Sequence, residues 1–399
     1  MRILHYTPIY APAWKWGGPV VSVTNLCEGL AAIGADVTVY TSTAGIDQNE
    51  AVKPGLSVEN GVSIHRFDHD SGMGIRSAGM KRAAMLHAAD FDLVHVTGIW
   101  QPTTSVACRA AFQAGVPYVM SLRGSLGPYS WKQKTVKKIL YYALYERRNL
   151  KGASGFHLTS EMEAIECRRF ISDRPSAIIP NGLKLKDWQV LNPAETQSWK
   201  TAHGMPAHTP ILLNVGRLHH KKGLEVLPSI LDRIRDRPWL MVFIGRDDDG
   251  TGAKLEKLFR QAGLSERVRI LDQCEPAVLA SAYSAASLFL LPSRHENFAN
   301  VAIEALSCGC PVLLSTEVGV GPELLPSGGA KILSRQPELW ADCISASLDG
   351  ASLTRGAELS LWAKSRFDTL NTSKRMLEFY QRILNGRSCK RSATDRYSI

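Results

Sequence analysis

The chain has 399 residues, 45% apolar and 21% charged, the balance of a globular protein rather than a collagenous, coiled-coil or disordered one. Its length suggests two domains, and no run approaches the roughly 18 apolar residues of a membrane-spanning helix. Lys and Arg outnumber Asp and Glu by 47 to 37, a formal charge of +10 that points to an anionic partner: nucleic acid, a phosphorylated ligand or an acidic membrane surface.

In chain order, short β-branched runs alternate with helix-like segments. Strands are expected at 3–6, 37–41, 64–67, 93–96, 118–121, 156–159 and 177–179, then at 211–215, 240–245, 268–271, 288–291 and 312–315. Several are apolar on both faces, as buried parallel strands are. Helices are expected between them, for example at 20–33, 102–114, 224–235, 255–262 and 300–308. Strand–helix alternation of this kind builds doubly wound α/β domains. The rhythm breaks at Pro180-Asn181-Gly182, and a polar stretch from Lys184 to Pro210 precedes the second series. We therefore expect two Rossmann-like domains, at 1–183 and 184–370, with an interdomain cleft. A last helix at 371–385 would return to the first domain, followed by a disordered basic tail at 386–399. The N-terminus enters a strand without a leader-like pattern, so a cytoplasmic location is expected. The eight cysteines are scattered and form no Cys-x-x-Cys pair, which suggests free, mostly buried thiols.

Open α/β sheets bind ligands beyond the carboxyl ends of their strands. After the strand at 211–215 comes Gly216-Arg217-Leu218-His219-His220-Lys221-Lys222-Gly223. Two cations beside a helix start suit a polyanion, and a solvated basic loop is the plainer alternative. After 288–291 comes Pro292-Ser293-Arg294-His295-Glu296-Asn297-Phe298-Ala299-Asn300, then a helix carrying Glu304. Glu304 lies among apolar residues, and an unpaired buried carboxylate is costly, so a ligand or an ion pair is expected there. Gly17-Gly18 precedes the first helix without the G-x-G-x-x-G spacing of dinucleotide sites. Asp247-Asp248-Asp249-Gly250 reads as a strand-end turn, and no metal site is assigned.

Taken in order, Gly17-Gly18, Pro180-Asn181-Gly182, Arg217 with Lys222, and Glu296-x7-Glu304 resemble the retaining glycosyltransferases of family 4, which have the GT-B fold. The resemblance spans about residues 1–385, and Arg123-Gly124-Ser125-Leu126-Gly127-Pro128 is similar to members from bacterial surface-polysaccharide clusters. It implies that Arg217 and Lys222 bind the donor diphosphate and stabilise the leaving group. Glu304 would hold the nucleotide ribose, and Glu296 would face the donor sugar. The amides of Asn297, Phe298, Ala299 and Asn300 would lie near the sugar and distal phosphate, and Gly17 and Gly18 would close over the diphosphate. It implies a nucleotide-sugar co-substrate, no cofactor and no metal, and a glycan or polyprenyl-linked acceptor in exopolysaccharide, capsule or lipopolysaccharide synthesis. Two departures stand out. Ala299 occupies a frequent glycine position, so the loop is expected to keep φ negative. Arg123 stands nearest to where many members carry a histidine.

His95, Trp100 and Arg123 follow neighbouring strands and are candidate acceptor contacts; local packing is the alternative for His95 and Trp100. From Trp131 to Lys151 the chain is basic and amphipathic, with Val136, Leu140, Ala143 and Leu144 along one face. That face packs on its own domain or lies on an anionic membrane, and the two are compatible. Nucleic acid is not expected, because no nucleic-acid motif accompanies the charge. The competing functions are a GT-B-fold sugar-nucleotide epimerase, a phosphorylase and a non-catalytic sugar-nucleotide binder.

Overall fold

The computed structural model describes residues 1–46, 52–72, 74–171, 174–351 and 353–394, with side chains as far as 386. The chain divides into two compact units, one of residues 1–183 with 369–399 and one of residues 184–368.

The first unit is an eight-stranded sheet: β1 (Arg2–Tyr6), β2 (Asp36–Ser42), β3 (Gly55–Glu59), β4 (Val62–Phe67), β5 (Leu93–Thr97), β6 (Tyr118–Ser121), β7 (Gly155–Leu158) and β8 (Ser176–Ile178). The strand order is β3-β4-β2-β1-β5-β6-β7-β8, with only the β3–β4 pair antiparallel. Side chains of β1 and β5 alternate between two cores: Leu4, Tyr6, Val94 and Val96 join one, Ile3 and Leu93 the other. This is the double burial that produces near-continuous apolar strands. The second core is closed by α1 (Gly18–Ala32) and by the chain's last helix, Thr369–Thr394, through Met376, Phe379, Tyr380 and Ile383. Gly182 permits that docking. A Cβ there would stand 2.4 Å from Thr372 Oγ1 and 2.7 Å from the Thr369 Cα. The Pro180-Asn181-Gly182 turn is fixed further where Asn25 Nδ2 donates to the Gly182 carbonyl.

The second unit is a six-stranded parallel sheet: β9 (Ile211–Val215), β10 (Leu240–Ile244), β11 (Val268–Leu271), β12 (Leu288–Leu291), β13 (Val312–Ser315) and β14 (Ala330–Leu333), in the order β11-β10-β9-β12-β13-β14. β9 and β12 are neighbours at the middle of this sheet, which places the loops after them side by side.

Three expectations need correction. The strands β3 and β14 were not anticipated; β3 is an exposed edge whose hairpin turns at Asn60-Gly61. The expected disordered tail at 386–399 is helical as far as Thr394, and 395–399 lie outside the described residues. The last helix begins at Thr369 rather than 371, so the second unit ends at Asp368. The seven described cysteines are free thiols, and all but half-buried Cys274 are buried. Among the described residues, no helix is long and apolar enough to cross a membrane.

Candidate functional site

In the second unit, the loops after β9 and β12 meet. Arg294 N donates to the Lys221 carbonyl, and the Lys222 ammonium lies 2.5 Å from Glu296 Oε1. Both side chains are largely buried, at 15% and 20% exposure, so solvent screens the pair weakly. Gly216, at the end of β9, has φ +133°, a backbone conformation that favours glycine, and lies in contact range of the Lys222 ammonium. Ser293 Oγ donates to the same glutamate oxygen. The loop is pinned to the one after β13, where Glu296 N donates to the Glu317 carbonyl and Gly319 N to the Glu296 carbonyl.

Glu304 projects from α2 (Asn300–Ser307) and is buried. Burial pushes its carboxyl up to about 7, opposed by a hydrogen bond from the Tyr283 hydroxyl (3.1 Å to Oε2) and by the charge of Lys222. Among the described residues no cation is seated on it, so at neutral pH it is a poised acceptor for hydroxyl donors. Lys222, Glu296 and Glu304 thus share one locality.

Arg217 follows the same strand but reaches the other way. Its guanidinium is half exposed and donates to Asp248 Oδ2 at 3.1 Å, while Arg246 holds the other oxygen. Both cations depress the Asp248 carboxyl below its usual range. Of the four charged side chains expected on the donor side, the structure therefore gathers three and holds the fourth, Arg217, in an ion pair with Asp248.

The Asp247–Asp249 turn is fully engaged. Asp247 accepts from the N–H groups of Thr251 and Gly252 and so caps the helix Thr251–Gln261. Asp249 accepts from Thr251 Oγ1 and His220 Nδ1. His219, His220 and Asp249 are close enough to close on a metal ion. However, His219 Nδ1 accepts the Lys221 backbone N–H. The proton of the neutral ring therefore sits on Nε2, the atom facing Asp249. A metal at that nitrogen would require an imidazolate or a broken loop bond.

The β12 loop ends at Ala299, whose φ is +70°. This corrects the expectation of a negative φ. The turn into α2 needs a left-handed residue, and alanine adopts it against its own Cβ. Phe298 is buried with its ring edge-on to Phe367, so only its backbone is available to a ligand, alongside Asn297 and Asn300 at the helix start.

In the first unit, Gly17 has φ +69° and leads into α1 at Gly18, both at the surface. His95 does not face a ligand. It is fully buried in β5, and this corrects its assignment as an acceptor contact. Its bonds form a chain whose direction is set by one carbonyl. His157 Nε2 faces the Ile179 carbonyl at 2.9 Å and must donate. Burial and the charge of Arg123 hold His157 down to about 3, so the ring is neutral and its Nδ1 accepts from Ser121 Oγ. Ser121 in turn accepts from His95 Nε2, leaving His95 Nδ1 to accept from the Tyr380 hydroxyl at 2.5 Å. The chain ties the last helix to the sheet.

Trp100 and Arg123 lie on the loops after β5 and β6. Both have left-handed backbones, with φ +68° and +54°, which is rare for bulky residues. A buried carboxylate grips each loop. Glu146 accepts the Trp100 N–H, and Glu163 accepts those of Gly124 and Thr159. Arg123 donates to Asn181 Oδ1, a neutral partner, and among the described residues its Nε has none.

The basic segment forms the helices Thr135–Tyr141 and Arg147–Gly152, joined by a π-helical stretch, Tyr142–Glu146. The reading in which its apolar face packs on its own domain is overturned: Val136, Leu140 and Leu144 are 81%, 61% and 60% exposed. The inserted residue of a π turn rotates the downstream side chains by about 100°, which directs Glu146, Asn149 and Leu150 into the domain instead.

Tyr283 and Ser293 escaped sequence reasoning. Tyr283 is 21 residues from the carboxylate it serves, and no local spacing announces such a contact.

Residues 17–182 match the family model described as "Glycosyl transferase 4-like domain", and residues 195–352 match "Glycosyl transferases group 1". The chain is 31% identical over 368 residues to a D-inositol 3-phosphate glycosyltransferase of Corynebacterium glutamicum, covering 88% of each protein. A homologue of the same name from Corynebacterium diphtheriae is 25% identical, covering 88% of this chain and 86% of that one. Among solved structures, sucrose-phosphate synthase from Thermosynechococcus elongatus superposes with a TM-score of 0.77 at 22% identity, covering 97% of this chain and all of that one. Anabaena Alr3699/HepE in complex with UDP superposes with a TM-score of 0.72 at 18% identity, covering 95% and 99%. With two parallel α/β units and a relative above 30% identity along nearly its whole length, the chain belongs to the family 4 type of glycosyltransferases and has the GT-B fold.

Proposed function

We propose that the protein is a retaining, metal-independent hexosyltransferase that takes its sugar from a nucleoside diphosphate sugar held by the second unit. The observation that carries this reading is the Lys222–Glu296 pair beside the poised Glu304. A diphosphate competes with Glu296 for the Lys222 ammonium, and Glu296, released from the pair, accepts from donor-sugar hydroxyls. Glu304 accepts from the ribose. Arg217 exchanges Asp248 for phosphate oxygen. As the C1–O bond breaks, its electrons pass to the phosphate, where these cations and the start of α2 stabilise them. The acceptor hydroxyl adds to the same face of C1, and its proton goes to the departing phosphate oxygen. No enzymic nucleophile is required.

Trp100 is the favoured acceptor contact in the first unit, with Arg123 beside it. The exposed Val136–Leu140–Leu144 stripe, flanked by Lys132, Lys134, Lys137, Arg147 and Arg148, suits an anionic membrane leaflet. A lipid-linked sugar in polysaccharide synthesis is the acceptor that fits it. Arg123 favours a second reading. A guanidinium bonded to a neutral amide fits a phosphorylated polyol, the acceptor class named in the corynebacterial relatives.

The test is a thermal-shift panel of UDP-, GDP- and ADP-sugars in EDTA. UDP-glucose is the first candidate, since a solved structure of the Anabaena neighbour contains it. A nucleotide that binds only the folded protein raises its melting temperature by mass action. A flat response to every nucleotide would refute the donor site, and a shift only with added Mg2+ would refute metal independence.

A further inference from the structure

We propose that Glu146 is a positioning residue for the acceptor, acting through Trp100. This rests on the reading of Trp100 as an acceptor contact. Tryptophan in a left-handed backbone costs on the order of 1–3 kcal/mol, and glycine would sit there freely. A tryptophan placed there at that cost is accounted for if the indole is needed at that point. The ring bridges three segments. Its Nε1–H donates to the Ser125 carbonyl in the β6 loop, it stands edge-on to Trp131 at 5.4 Å, and Lys138 Nζ lies 5.5 Å from its centre.

The backbone of that residue is held by one side chain. Glu146 Oε1 accepts the Trp100 N–H at 2.8 Å, and Oε2 accepts from Asn149 Nδ2 at 3.1 Å. Asn149 is fixed in turn by Ser105 Oγ, and its carbonyl accepts the Tyr118 hydroxyl. Glu146 is fully buried, and among the described residues no cation pairs with it. A buried carboxylate without a counter-ion is expensive, and a neutral or apolar residue would serve packing alone. Its place at the end of the π-helical stretch gives the element a purpose: the inserted residue turns Glu146 inward, towards the β5 loop, while Val136, Leu140 and Leu144 stay outside.

The test uses the full chain, the nucleotide sugar that gives the thermal shift, and three probe acceptors: undecaprenyl diphosphate-linked N-acetylglucosamine, D-inositol 3-phosphate and a cello-oligosaccharide. E146M and W100G should each raise the KM for the accepted probe about tenfold or more, leaving the donor KM and the nucleotide thermal shift within about twofold. E146Q, whose amide oxygen still accepts the Trp100 N–H while the Asn149 amide flips to turn its oxygen to the new NH2 group and to the Ser105 hydroxyl, should stay within about threefold of wild type. The double variant E146M/W100G should be no worse than W100G, because both changes remove one interaction. An unchanged acceptor KM in E146M, an equal rise in donor KM, or effects that multiply in the double variant overturn the positioning role. A wild-type chain that neither shifts with nucleotide nor transfers to any probe overturns the reading beneath it, and the role with it.

Discussion

The raised carboxyl of Glu304 makes donor affinity depend on pH in a direction that can be calculated. In the protein the group titrates at about 7, so it is about one tenth ionised at pH 6 and about nine tenths at pH 8. Ribose hydroxyls donate to the ionised form. Affinity for a nucleotide sugar should therefore fall roughly tenfold from pH 8 to pH 6, in step with the ionised fraction. Folding stability should move the opposite way. The folded-state value lies above the ordinary 4.5, so the folded protein holds a proton that the unfolded chain has released. Its contribution is intact below about 4.5 and is lost as the pH rises through 7, by about 3 kcal/mol in all. Calorimetric titration with an intact nucleotide sugar avoids the terminal phosphate ionisation of a free diphosphate. Wild type and E304Q should be compared at constant ionic strength. E304Q should bind less tightly at pH 8 and lack the slope. A flat wild-type profile, or a slope that survives in E304Q, refutes the assignment.

Lys222→Ala and Arg217→Ala should each lower kcat/KM by about 10²–10³, some 2.7–4 kcal/mol of transition-state stabilisation, as measured by steady-state transfer. Lys222→Ala should also destabilise the fold more, because it strands the largely buried Glu296, whereas Arg217 is half exposed. Ala299→Gly should raise stability by about 0.5–1 kcal/mol, since relief of the left-handed alanine exceeds the entropy cost of glycine; a lower melting temperature would contradict that. Gly182→Ala should cost about 1–3 kcal/mol and lower the melting temperature by several degrees, because its Cβ would meet Thr372 and the Thr369 backbone. Val136→Ser with Leu140→Ser should abolish co-sedimentation with phosphatidylserine-containing vesicles at low salt and leave melting unchanged, these side chains being exposed. Unchanged sedimentation would remove the membrane from the proposal.

The features legible in the sequence were those that repeat. Parallel strands buried on both faces are largely apolar, and β6, β9, β12 and β13 lie where their runs lie. β3 was missed because an exposed edge alternates only weakly, although Asn60-Gly61 is a hairpin dipeptide that points to it. Lys222, Glu296 and Glu304 were legible because each comes after a strand at the middle of the second sheet. Their partners were not, because pairs such as Tyr283 with Glu304 depend on which helix the topology lays against which. His95 misled for the same reason: its position in the strand is evident from sequence, but the Ser121–His157 chain that consumes its ring nitrogens is not.

Three local conflicts between sequence and backbone carry more functional information than the agreements. Trp100, Arg123 and Ala299 all adopt left-handed conformations, and each stands on the loop leaving the carboxyl end of a strand: β5, β6 and β12. Glycine would remove the strain at all three. For Trp100 and Arg123, the side chain must offset what the backbone loses, and a buried carboxylate clamps an N–H at each turn, that of Trp100 itself and that of Gly124. For Ala299 the side chain is a single methyl group, too small to do chemistry, and it is buried. Its strain is not explained by a ligand contact of its own. It fits a loop held by the Glu296–Glu317 and Gly319–Glu296 backbone bonds, where a fixed turn keeps the start of α2 aimed. A backbone under tension thus serves two ends here: in the first unit it presents a side chain, and in the second it presents the peptide groups themselves.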